Sequence, residues 1–184
     1  MNNTEDKFIE LYHGTGVKFN SFDASKCNTR SDFGKGLYLT PDINMAIRMA
    51  YRKYGRTNKA YLYTYLLPKA IFEHCILTVD KKIIKAKIFT GADVEWGELV
   101  LRNRTNKYYS DTFDIIAGPI ADGDVSSISY RFMKKIESCR NEEKVSYLNE
   151  FIRLVNAHVF STQVCLHTEE AIKLAKLIEI KRLK

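Results

Sequence analysis

The run Asp32-Phe33-Gly34-Lys35-Gly36-Leu37-Tyr38-Leu39-Thr40 sets a Gly-Lys-Gly turn directly ahead of a short apolar strand. That order narrows the folds open to the chain. A Rossmann fingerprint needs a strand, then the glycines, then a helix, whereas here the glycines lead into a strand. A P-loop needs Gly-Lys followed by Ser or Thr, which occurs nowhere in the sequence. Regular strand–helix alternation is missing as well. The expectation is an α+β domain of mixed order rather than a doubly wound parallel sheet.

The rest of the chain fills in that class. Phe8–His13 reads as a strand closed by Gly14 and Gly16, and residues 17–35 as a polar loop laid over the body of the fold. After Leu37-Tyr38-Leu39, Thr40 is expected to cap a helix with Pro41 in its first turn. The clearest strand is Ala60–Leu67, where Tyr61, Tyr63 and Tyr65 alternate with Leu62, Thr64 and Leu66, the period of a sheet with two different faces. A second strand is expected around 71–79. Helical spacing follows at 81–89 and near Trp96 and Leu99. Phe113–Ala117 reads as a buried strand, Asp124 as a helix cap and 142–156 as an amphipathic helix carrying Leu148, Phe151 and Ile152. His158 is expected to end that helix, with Thr162–His167 as a strand, Thr168 as a cap and Leu177–Leu183 as a closing strand.

At 184 residues and 45% hydrophobic, the chain can bury one core, and a single domain over 1–184 is expected. No apolar run approaches the length of a membrane span. The polar start Met1–Lys7 has no hydrophobic segment of the secretory kind, so no secretion signal is expected in this sequence. Cys27, Cys75, Cys139 and Cys165 are too scattered for a metal site or a disulfide framework, which favours a reducing, cytoplasmic setting. A net charge of +7 favours phosphate-bearing partners, although the basic residues are widely spread. No Gly-X-Ser-X-Gly elbow supports a hydrolase triad.

Upstream of the glycine turn, Tyr12-His13-Gly14-Thr15 ends a strand in a histidine followed by a flexible, hydroxyl-bearing turn. Jointly the two segments suit a cleft for a planar aromatic ligand with a sugar attached. They, together with Thr162-Gln163-Val164-Cys165-Leu166, carry a resemblance to the ADP-ribosyltransferase superfamily, on the branch from diphtheria-toxin-like enzymes to poly(ADP-ribose) polymerases. Tyr12–Thr15 resembles the family's strand-end His-Gly. Phe33–Leu39, followed by a helix with Ala46 and Tyr51, is similar to the polymerases' glycine run, tyrosine strand and helix. Trp96–Arg104 and Asp114–Asp122 look like segments of a little-characterised bacterial family in the same superfamily.

The resemblance implies two antiparallel sheets packed around an NAD cleft, flanked by helices. It implies a mono-ADP-ribosyltransferase that takes NAD as substrate, releases nicotinamide and modifies a protein or nucleic-acid acceptor, in the cytoplasm or, for a toxin domain, in a target cell. His13 would bond the adenosine ribose, Gly14 would offer backbone groups to the nicotinamide carboxamide, and Tyr38 would stack on the ring with Tyr51 as a second aromatic. Thr15, Arg30 and Gly36 complete the expected binding set, Arg30 toward the pyrophosphate. The family's third motif generally carries glutamate where this chain has Gln163, so His13, Tyr38 and Gln163 form the expected catalytic trio without its charge. Asp122 and Asp124 are candidate substitutes for that carboxylate. An NAD glycohydrolase and a non-catalytic nucleotide reader are the competing functions.

Overall fold

A computed structural model describes residues 7–23, 27–105, 113–155 and 158–184, with backbone alone for 158–160. The polar start at 1–6, residues 24–26 of the long loop and Asn156 lie outside the described residues. Two sheets form the body. The smaller has the order β1 (Phe8–Thr15), β3 (Tyr61–Pro68), β8 (Lys176–Arg182), all antiparallel. The larger runs β2 (Leu37–Leu39), β7 (His158–Leu166), β6 (Ile115–Ile120), β5 (Lys82–Ile88), β4 (Ile76–Val79). This sheet is not wholly antiparallel: β5 and β6 run parallel, linked through helix α3 (Val94–Arg104). A parallel pair cannot be joined by a tight turn, and α3 is the crossover that joins it.

Side chains on the two sheets meet in one core cluster that includes Leu11, Tyr63, Leu67, Ile84, Val164 and Leu166. A second cluster fills the opposite face of the larger sheet. There α3, α4 (Val125–Ser138) and α5 (Asn141–Leu154) pack Trp96, Phe132, Leu148 and Phe151 against Phe33 and Cys165. Helix α1 (Ile43–Thr57) covers the outer side of the smaller sheet through Ala46 and Ala50. Consequently β3 is buried on both of its faces, the tyrosine face against the other sheet and the opposite face beneath α1. Short helices α2 (Ala70–His74) and α6 (Glu169–Leu174) complete the chain.

Four local expectations are corrected. Helix α1 is capped by Asp42, whose carboxylate accepts from the Asn44 and Met45 amides. Thr40 is otherwise engaged, exchanging both backbone hydrogen bonds with Tyr12 and donating its hydroxyl to the Thr162 carbonyl. Residues 82–88 form strand β5 instead of a helix, because Asp80 and Lys81 both adopt positive φ and fold the chain into a tight hairpin with β4. The expected strand at 71–79 begins as helix α2, which ends in a left-handed Cys75 before β4 starts. His158 opens β7 rather than ending α5. The caps at Asp124 and Thr168 and the closing strand are as expected.

Candidate active site

Strands β1 and β2 belong to different sheets and touch at one bridge, Tyr12 to Thr40, with N–H···O distances of 2.8 and 2.9 Å. In an antiparallel ladder, N–H and C=O groups of alternate residues point to the same side. Gly14 therefore aims its N–H and C=O toward the β2 edge, level with Tyr38. The ladder does not continue there. Instead Nδ1 of His13 approaches the Tyr38 carbonyl at 2.7 Å and occupies the acceptor a further rung would have used. By the same alternation these groups of Gly14 point away from β3, and no hydrogen bond outside the β1–β3 ladder reaches them among the described residues.

Gly14 is glycine for a reason on its other side. A Cβ there would lie 1.7 Å from the Ala46 carbonyl oxygen and 2.9 Å from the Ala50 nitrogen. The close approach it permits is that of helix α1, which packs on β1 beside its bridge to β2. Thr15 continues β1, and its hydroxyl accepts from the Val17 amide, so it shapes the following turn. Tyr51 sits on α1 beside Ala50 and is 43% exposed, which leaves its ring open to a ligand.

His13 is walled by aromatic rings, edge-on to Phe19 at 5.8 Å and to Tyr63 at 6.1 Å. Phe19 belongs to the long loop and is pinned there. Its ring stacks on Tyr63 at 4.3 Å, and the Tyr63 hydroxyl accepts from the Phe19 amide while donating to its carbonyl. Burial holds the His13 imidazole below its ordinary pKa, with Lys53 acting in the same direction against the Tyr38 carbonyl. At neutral pH the ring is neutral. Its Nδ1–H faces the Tyr38 carbonyl and Nε2 is an unprotonated acceptor.

The Tyr38 side chain leaves the opposite face of β2 and packs with the second core cluster. Its hydroxyl accepts from the Phe33 amide at 3.0 Å and donates to the Gly34 carbonyl at 2.8 Å, so the phenol ties down the glycine turn. Burial, Cys165 and Asp32 push its pKa well up. Gly34 has φ +80, which glycine adopts without strain, and a Cβ on Gly36 would lie 2.5 Å from Cys165 Sγ and 2.6 Å from the Leu166 carbonyl oxygen. Gly36 is thus a packing glycine at the start of β2. Arg30 is exposed, and its carbonyl accepts from Arg104.

Gln163 lies across β2 from Tyr12 by register, on the same face of β7 as Cys165. Its Nε2 donates to Asp32 Oδ2 at 2.7 Å and to the Pro119 carbonyl at 3.3 Å. Both partners are acceptors, which fixes the amide orientation and leaves Oε1 without a protein partner among the described residues. The carboxylate next to Gln163 is therefore Asp32, and neither Asp122 nor Asp124 fills that place. Asp124 caps α4, and Asp122 accepts from the Gly123 amide. Asp32 is 3% exposed and is held by Arg104 on Oδ1 (2.8 and 2.5 Å) and by the Ala121 amide on Oδ2. Asn103 reinforces it by donating to the Asp32 carbonyl.

The motifs thus meet through two hinges: His13 with the Tyr38 backbone, and Gln163 with Asp32 at the head of the glycine turn. The carboxylate–arginine centre is the part that sequence reasoning missed. Its only sequence signal is an acidic residue directly ahead of Phe33-Gly34, which reads as an ordinary loop aspartate. A separate cavity of about 280 Å³ lies between the sheets, lined by residues such as Ile9, Leu11, Phe72, Ile88, Pro119 and Val164. It is apolar and includes none of His13, Tyr38 or Gln163. No group of three or more potential metal ligands occurs among the described residues, and none of their helices is long and apolar enough to cross a membrane.

The chain belongs to the family described as a protein of unknown function (DUF3990), whose model matches residues 9–177. No curated protein and no solved structure matches it.

Proposed function

We propose that this member of a family of unknown function binds NAD where β1 and β2 diverge, and transfers ADP-ribose from it. The observation that carries the reading is the free N–H and C=O of Gly14. A carboxamide offers one acceptor and a pair of donor hydrogens, the complement of a single unpaired backbone residue. It would dock there as a short extra rung of the ladder that His13 interrupts. Nε2 of the neutral His13 accepts from a ribose hydroxyl. Tyr38, its ring fixed through the glycine turn, and the exposed Tyr51 supply aromatic surface for the nicotinamide. Gln163, its Nε2 clamped by Asp32 and Pro119, directs Oε1 as an acceptor for the neighbouring ribose hydroxyl.

In the reaction, the bond between the anomeric carbon and the nicotinamide nitrogen breaks, and its electron pair leaves with nicotinamide. A nucleophile on a protein or nucleic-acid acceptor then bonds that carbon. Asp32 adds little charge to a developing cation, because Arg104 already neutralises it. An amide in place of a carboxylate forgoes an electrostatic contact worth roughly 10²–10³ in rate. That same neutralised Asp32–Gln163 pair favours a second reading, a domain that binds NAD or ADP-ribose without turning it over.

Calorimetric titration with NAD tests the site, with nicotinamide release and label transfer to acceptor reading out chemistry. His13→Ala should weaken NAD binding about tenfold, the worth of one hydrogen bond and an aromatic contact. Unchanged affinity in a folded His13→Ala protein would remove the site. Binding without nicotinamide release supports the non-catalytic reading, and release without label transfer supports a glycohydrolase.

A further inference from the structure

Residues 43–72 contain six Lys or Arg and no Asp or Glu. The fold gathers several of these with other cations at one end of the molecule. Thr15, Tyr61 and Arg182 share one row of the smaller sheet, so β1 ends, β3 begins and β8 ends together. Ala60 bonds the backbone of Leu183 and Lys184. The turn after β1 sits on the last turns of α1, since a Cβ on Gly16 would lie 2.4 Å from Thr57 Oγ1 and 3.0 Å from Lys53 Cβ. Lys18, Lys53, Arg56, Lys59, Arg182 and Lys184 therefore belong to one end of the molecule, with Lys184 over the Tyr54 ring of α1, Arg182 donating to the Lys184 carbonyl and Arg52 on the exposed side of α1.

A hollow opens at that end, and the cations beside it on α1 lack acidic partners among the described residues. Lys18 and Lys59 flank a hollow of about 260 Å³ floored by Tyr61 and Thr57. Among the described residues Arg52, Lys53, Arg56 and Lys59 form no ion pair, and the helix's one pair joins Arg48 to Asp42 at 3.6 Å. The negative end of the α1 dipole accounts for a cation such as Arg56 in the last turn. It does not account for cations delivered from three other chain segments. We propose that this end of the molecule docks the phosphate backbone of a nucleic acid. Unpaired cations beside a hollow match a polyanion whose charges repeat at short intervals, and binding releases its counterions. The dock does not depend on the NAD reading. Where both hold, it sets a nucleic acid beside His13, because α1 packs on Gly14 through Ala46 and Ala50 and on Gly16 through Lys53 and Thr57.

The test is fluorescence anisotropy with labelled single-stranded and duplex oligonucleotides of about 20 nucleotides over a salt series. Arg52→Ala/Arg56→Ala/Lys59→Ala is compared with Lys85→Ala/Lys134→Ala/Lys176→Ala, which removes equal charge elsewhere, and folding of both is checked by circular dichroism. The first variant should lose tenfold or more in affinity, and its salt slope should fall by about 2–3, or 0.7–0.9 per contact. The second should stay within about twofold. Equal losses in both, or no oligonucleotide binding at low salt, would overturn the proposal. So would displacement by polyglutamate at matched charge, which assigns the surface to acidic proteins, or binding to phosphatidylserine vesicles alone. NAD titration of the first variant should match the unmodified protein, so failure of the dock and failure of the NAD site are read separately.

Discussion

At the scale of single residues, Gln163 is held more tightly than its place in a strand suggests. From sequence, Gln163→Glu is nearly isosteric and adds charge where a cation would develop. In the fold that carboxylate meets two acceptors, Asp32 Oδ2 and the Pro119 carbonyl, in a buried site. Like charges facing each other without a proton are costly there. Gln163→Glu should therefore lose about 3 kcal/mol of stability at pH 7.5 in urea denaturation and recover part of it near pH 5, as one carboxyl takes a proton. A gain in nicotinamide release at undiminished stability would mean that Asp32 moves away when substrate binds. Gly14 teaches a similar lesson. Its type was legible as a position needing close approach, but the approaching group that requires it is a helix, and only the folded chain reveals that.

Among the elements, α5 carries its weight through Leu148 and Phe151, both buried against α3 and α4. Phe151 is 0% exposed and 5.9 Å from the Phe132 ring. Phe151→Ala should cost roughly 3–5 kcal/mol by leaving a cavity. NAD affinity of the remaining folded protein should be unchanged, since α5 supplies no group to the β1–β2 edge; differential scanning calorimetry and titration together check this. Helices with strong apolar periodicity, α4 and α5, were readable in the sequence, as were the caps at Asp124 and Thr168. The β4–β5 hairpin was not. Its turn uses Asp80 and Lys81 at positive φ without the glycine that normally announces such a turn. The alternation of Ile84, Ala86 and Ile88 with Lys85 and Lys87 was there, but the preceding lysine run imitates a solvated helix face. For the site, His13, Gly14, Tyr38 and Gln163 stood out as residue types, while the pairings among them did not. Those depend on strand register, and on Asp32 and Arg104 meeting from segments some seventy residues apart.

Over the whole molecule, His13 and His167 couple stability to pH. Burial lowers both pKa values below the ordinary imidazole range. Between the folded values and about 6.5, the unfolded chain binds protons that the native state refuses, so stability is full above that range and falls as pH drops through it. Urea midpoints should be flat from pH 8 to 7 and decline between about 6.5 and 5, before carboxylates titrate. His13→Asn should reduce the slope of that decline. A slope unchanged in His13→Asn would assign the whole effect to His167. The bridge between β1 and β2 has a consequence in time as well as in space. Strand β2 is held by β7, with Leu37 opposite Leu166, so the edge that meets β1 is anchored by a strand from the last quarter of the chain. Closing so long a loop is slow and comes late. A nascent chain in which residue 166 is not yet free to pair leaves β2 without its partner strand, so the β1–β2 bridge forms only after β7 has been made.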